Sequence, residues 1–297
     1  MLTRRLLLAL GLAVAATGSQ AAEPLKVVAT TGMIADTVRA IGGEAVEVQA
    51  LMGPGVDPHA YRQTRTDIVA LTRADLVLWH GLYLEAQMED FLRDLAETRS
   101  VVAVGEALPE DMLLAHDDYE GRFDPHVWMN PALWAGVVDA IEAALTEARP
   151  EAAATFAANA AAFDGELAAL AAYSEEVLGS VAGEARVLLT AHDAFNYFGD
   201  AYGFEVVGIQ GISTESEAGL NRIAALVDML VAREVGAVFV ESSVSDRNIR
   251  ALIEGAAAAG HEVRIGGELF SDAMGAPGTY EGTYLGMIDH NVTTIAR

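Results

Sequence analysis

The sequence predicts an α/β protein of two lobes, each a mostly parallel sheet flanked by helices, joined by one long rigid helix. Three observations predict it. The chain has 297 residues, more than one core usually organises. Short β-branched runs alternate with helical patterns through both halves, as βα units do. Between the halves lies an alanine-rich stretch with no strand signal and no turn cluster.

In the first half, strands are expected at 26–29, 46–51, 76–79 and 101–104, with helices at 33–41, 65–73 and 85–95. Asn130 as cap and Pro131 as first residue inside open a further helix running to about Ala148. The middle segment holds twelve alanines in positions 152–172, and alanine is the best helix former. Phe156, Phe163, Leu167, Leu170 and Tyr173 recur as an apolar stripe, so a packed helix is favoured over a low-complexity linker, with Gly165 as the place where it bends. The second half repeats the scheme with strands at 187–190, 205–207, 237–240 and 262–265, and a last helix over 284–295. The expected division is a signal peptide at 1–21, an N-terminal lobe at 22–149, a connecting helix at 150–180 and a C-terminal lobe at 181–297, with a cleft between the lobes.

The first segment reads as an address. Arg4 and Arg5 precede eleven apolar residues, Leu6 to Ala16, and then a run of small residues, the three parts of a secretory signal peptide. Eleven apolar residues are too few to span a bilayer. Ser19 and Ala21 place cleavage after Ala21, with Ala22 as the alternative, and removal of the two arginines takes the net charge from −25 to −27. Such acidity repels nucleic acid and anionic lipid. The sequence has no cysteine, which excludes disulfides, thiolate metal sites and the cysteine on which a lipid anchor is built. The expectation is a soluble periplasmic monomer with no lipid anchor.

Chemistry falls to the seven histidines and the carboxylates. His80, His261 and His290 have ordinary structural explanations, and His116, in an acidic loop, is a candidate auxiliary metal contact. The other three stand at the carboxyl ends of expected strands, where open α/β sheets bind ligands. His59 lies in Gly53-Pro54-Gly55-Val56-Asp57-Pro58-His59, His126 in Asp124-Pro125-His126, and His192 directly after the strand ending at Thr190. In the two Asp-Pro-His segments, proline fixes the backbone before the imidazole. Asp272, after the last strand, offers a fourth ligand, giving two from each lobe. Three imidazoles and a carboxylate suit Zn²⁺, with Mn²⁺ as the alternative.

The segments GPGVDPHAYRQT, DPHVWMNP, LLTAHDAFNYFGDAYGFE, ELFSDAMG and TYLGMIDHN give the whole mature chain a resemblance to the solute-binding proteins of bacterial zinc and manganese ABC importers, which include the pneumococcal-type metal adhesins. The resemblance implies ligands at His59, His126, His192 and Asp272, and an ABC permease in the inner membrane as partner. Manganese-preferring members commonly carry Glu where this chain has His192. Zinc-dedicated members usually carry a long His-rich loop where residues 108–123 are short and acidic, so the metal stays open between the two, leaning to zinc on ligand softness. Two other readings compete: a zinc-dependent hydrolase, in which Asp272 would stand off the metal as general base, and a non-catalytic adhesin. No HExxH, GxSxG or P-loop pattern supports catalysis.

Overall fold

The computed structural model describes residues 23–115 and 121–297; the signal segment and His116 lie outside them. The N-terminal half carries one parallel sheet of β1 (Leu25–Ala29), β2 (Val46–Ala50), β3 (Leu76–Trp79) and β4 (Val101–Ala103), in the order β2-β1-β3-β4. Its helices are α1 (Gly32–Gly42), α2 (Arg65–Arg73), α3 (Glu89–Ala96) and α4 (Pro131–Ala148). One face packs on α1 and α4 through Val27, Ile34, Val38 and Val137, and the other on α2 and α3 through Val28, Leu71, Val77 and Leu92. A sheet buried on both faces reads as continuous apolar runs, as Leu76-Val77-Leu78-Trp79 does.

After α5 (Ala153–Gly179), the second half places β5 (Val187–Thr190), α6 (Asn196–Tyr202), β6 (Glu205–Gly208), α7 (Leu220–Ala232), β7 (Ala237–Glu241), α8 (Arg247–Ala258), β8 (Arg264–Leu269) and α9 (Tyr284–Ile295). β5 pairs with β6 and β7 with β8, all parallel, and β5 runs beside β7.

Four sequence expectations need adjustment. The connecting helix buries Phe156, Ala160, Phe163, Leu167, Leu170, Ser174 and Leu178, a regular three-and-four spacing that puts Ser174 inside and leaves Tyr173 40% exposed. The α-helix begins at Ala153, after a 3₁₀ turn at Pro150–Ala152 where the helix was expected to start, and runs unbroken through Gly165 to Gly179. Helix α3 begins at Glu89, not at residue 85, because Gly81, Leu82 and Tyr83 all take positive φ and Glu85 turns inward, accepting bonds from Thr30 Oγ1 at 2.6 Å and His80 N at 2.8 Å. β8 runs past the expected end at residue 265 to Leu269. Gly266 is an extra residue where Val238 pairs with Ile265 and Phe239 with Gly267, and glycine in a strand marks such a bulge.

The largest core is shared between the halves. Met33 and Trp134 of the first, Phe163 and Leu167 of the connecting helix, and Phe195, Tyr284 and Ile288 of the second belong to one buried cluster. Tyr284 stacks on Trp134 with centroids 5.3 Å apart, and its hydroxyl donates to Trp128 O at 2.8 Å. The halves therefore share a packed floor of side chains rather than meeting at a bare hinge.

Candidate metal centre

Four buried side chains from four loops converge over that floor. His59 follows β2, His126 follows β4, His192 follows β5 and Asp272 follows β8. Nε2 of His126 lies 3.2 Å from Nε2 of His59 and 3.3 Å from Nε2 of His192. Oδ1 of Asp272 lies 3.4 Å from His192 Nε2, 3.5 Å from His126 Nε2 and 4.0 Å from His59 Nε2. All four ligand atoms fall within 4.8 Å of one another. A tetrahedral Zn²⁺ with bonds of about 2.0–2.2 Å sets its ligand atoms roughly 3.3–3.6 Å apart, close to the separations around His126 and between His192 and Asp272, while His59 stands farther from Asp272. Asp272 Oδ1 is fully buried with no hydrogen-bond partner among the described residues, while its Oδ2 accepts from Ser243 Oγ at 3.1 Å. A buried carboxylate oxygen without a donor is costly, and a cation at the centre would satisfy it.

The imidazoles are aimed by carboxylates. Asp124 Oδ1 accepts from both the backbone N–H of His126, at 2.9 Å, and its Nδ1, at 2.7 Å. Glu241, at the end of β7, does the same for His192: Oε1 accepts the backbone N–H at 2.9 Å and Oε2 faces Nδ1 at 2.6 Å. A proton held on Nδ1 leaves the Nε2 lone pair free to face the centre. Asp57 Oδ1 accepts the backbone N–H of His59 at 2.9 Å, and no described side chain bonds the Nδ1 of that ring. In each Asp-Pro-His segment the aspartate thus adds a hydrogen bond to the histidine's backbone N–H beside the constraint of the proline.

Electrostatics divide the histidines. Burial pushes His59 down to about 3, so it stays neutral. Burial also opposes charge on His126, but Asp124, with Asp272 behind it, more than offsets this and lifts the ring to about 9. His192 is likewise raised against burial, by Asp272 and Glu241. Asp272 is held well below the usual carboxylate range despite burial, by His192 first and then His126. The carboxylates thus favour positive charge at the centre, whether carried by imidazole protons or by a cation.

The remaining histidines lie elsewhere. His80 is fully buried, stacked against Trp134 and edge-on to Trp128, and burial lowers it to about 3. His261 Nε2 donates to Val235 O at 2.8 Å and His290 Nε2 to Glu268 O at 2.9 Å. The sequence alone does not single out Asp57, Asp124 and Glu241. Two of them stood in the repeated Asp-Pro-His, and Glu241 was signalled only as an acid closing the apolar strand Ala237-Val238-Phe239-Val240.

Comparison with known proteins finds relatives over nearly the whole chain. The chain is 48% identical to the manganese-binding lipoprotein MntA of Bacillus subtilis, over 94% of this chain and 91% of that protein. It is 46% identical to the zinc-binding protein TroA of Treponema pallidum, over 92% of this chain and 88% of that one. The solved structure of the Treponema pallidum periplasmic zinc-binding protein superposes with a TM-score of 0.90 at 45% identity, covering 92% of this chain and 98% of that one. The family model described as zinc-uptake complex component A, periplasmic, matches residues 27–297, and the chain belongs to that family.

Proposed function

We propose that this protein is an exported receptor that captures one divalent transition metal ion between His59, His126, His192 and Asp272 and delivers it to an ABC permease in the inner membrane. The observation that carries the reading is the convergence of four buried ligand atoms, one of them a carboxylate oxygen with no other described partner. In this reading residues 22–149 and 181–297 are two lobes held by the helix at 150–180, and each supplies two ligands.

Three imidazoles and one carboxylate favour Zn²⁺ as cargo, with Mn²⁺ as the alternative. Similar proteins are named for each metal, so kinship does not choose between them. The position of Asp272 supports a receptor rather than a hydrolase. Its Oδ1 lies as near His192 as the imidazoles lie to each other, which closes the fourth position a catalytic zinc keeps for water. Some relatives are named lipoproteins; this sequence has no cysteine to carry a lipid, and the proposal is an unanchored periplasmic monomer.

Equilibrium dialysis of metal-free protein against equimolar Zn²⁺ and Mn²⁺, followed by elemental analysis, tests the reading. One ion per chain, mostly zinc, is expected. Protein that retains no metal would contradict it.

A further inference from the structure

The two Asp-Pro-His segments share more than their sequence. In each, Oδ1 of the aspartate accepts the backbone N–H of the histidine two residues on, at 2.9 Å in both. In each, Oδ2 reaches into the other half of the molecule: Asp57 accepts from Thr214 Oγ1 at 2.5 Å, and Asp124 accepts from Asn196 Nδ2 at 2.9 Å. One carboxylate therefore holds a proposed ligand with one oxygen and the opposite half with the other.

The two differ in how firmly they are set. Asp124 is buried, is bonded to the His126 ring as well as its backbone, and has its own carbonyl capped by Tyr197 Oη at 2.9 Å. Asp57 is part-buried and bonds only the backbone of His59. Its partner Thr214 lies on the loop of residues 209–219 between β6 and α7. Ile212 and Ser213 of that loop, with Tyr83 and Arg122 opposite, line the depression that opens onto His59. His59 lines that depression, and its ring has no carboxylate behind it among the described residues.

We propose that Asp57 is a positioning residue that couples closure of the cleft to the grip on the ion. With the halves closed, Thr214 fixes the Asp57 carboxylate and, through it, the loop that carries His59. When the halves separate, the Thr214 bond is the one lost from that carboxylate, so His59 is the first ligand to loosen. This rests on the metal-receptor reading, and it adds an order of ligand release and a residue outside the four ligands that sets the rate.

The test is the rate at which Zn²⁺-loaded protein gives up its ion to excess EDTA, by stopped flow. Thr214→Val, which keeps the shape and removes the hydroxyl, is expected to speed release about tenfold, the lower range for loss of a group that orients a metal ligand. Thr214→Ser restores the wild-type rate. Gln87→Ala is the control: Gln87 Nε2 bonds Glu215 Oε1 across the same cleft at 2.5 Å, but the contact ends on no ligand, so release should stay within about twofold of wild type. Metal-free protein should unfold cooperatively in all three, with Thr214→Val a few degrees below wild type at most for the lost hydrogen bond. Release at the wild-type rate in Thr214→Val, or equal acceleration in Gln87→Ala, would overturn the coupling while leaving stoichiometric zinc binding intact. Failure of wild-type protein to bind either zinc or manganese would instead overturn the receptor reading beneath it.

Discussion

Nδ1 of His192 lies 2.6 Å from Oε2 of Glu241, and the other oxygen of the same carboxylate accepts the backbone N–H of the same histidine. Two bonds from one rigid strand end fix both the position and the tautomer of the ring. Glu241→Gln presents an amide in place of one of these acceptors. Zinc affinity, measured by competition with a chelating dye, should fall about 10- to 100-fold although every ligand is retained. An unchanged affinity would show that Glu241 is only a structural contact.

Metal and protons should compete at neutral pH, earlier than free histidine would imply. The sequence alone suggests loss of metal below about pH 6.5. The structure moves the competition upward, because His126 is raised to about 9 and His192 is raised as well. A base whose folded pKa is raised stabilises the fold fully below its unfolded value, and that contribution is lost as pH rises through the folded one. Metal-free protein should therefore lose stability between about pH 6.5 and 9, while zinc binding strengthens over the same interval. The rise in melting temperature on adding Zn²⁺ should widen from pH 6 to pH 9, and zinc binding at pH 7 should release protons, seen calorimetrically in buffers of different ionisation enthalpy. A zinc-induced shift that stays constant over that range would contradict the assignment of His126 and His192.

Gly165 sits on the exposed face of α5, and a Cβ there would meet nothing within 4 Å. Glycine inside a helix costs about 0.5–1 kcal/mol relative to alanine. Gly165→Ala should raise the urea midpoint by that amount of stability without altering zinc affinity. Destabilisation would mean that the helix needs to yield at this point.

Opening of the cleft should be small. Helix α5 is continuous, and the cluster containing Trp134, Phe163 and Tyr284 binds both halves to it, so a wide hinge would have to break a shared core. Small-angle scattering of metal-free and zinc-loaded protein should give nearly superimposable profiles. A large closure on zinc addition would show that the helix bends.

Where local chemistry decides, the sequence was readable. The bounds of α4 follow from Asn130, whose side chain accepts from Ala132 N, and from Pro131. The bounds of α9 could be placed as closely, from its apolar periodicity. Where tertiary context decides, it was not. Glu85 looks like a helix-starting residue, but three backbone and hydroxyl donors draw it into the interior. Tyr173 looks apolar enough for the stripe, yet the 3.6-residue period leaves it outside and brings in Ser174. The histidines and Asp272 could be chosen because strand ends are visible in a pattern of apolar runs. Glu241 could not, because it is 49 residues from the ring it orients and only the neighbouring strands β5 and β7 bring them together.

The central claim is that one ion is held by three imidazoles and the carboxylate of Asp272. X-ray absorption at the zinc edge of the stoichiometric complex tests it most directly. The account predicts four nitrogen or oxygen neighbours at about 2.0–2.2 Å with the outer-shell scattering of three imidazole rings, and a changed first shell in Asp272→Ala. A shell dominated by water or carboxylate oxygens, unchanged by Asp272→Ala or His192→Ala, would contradict it.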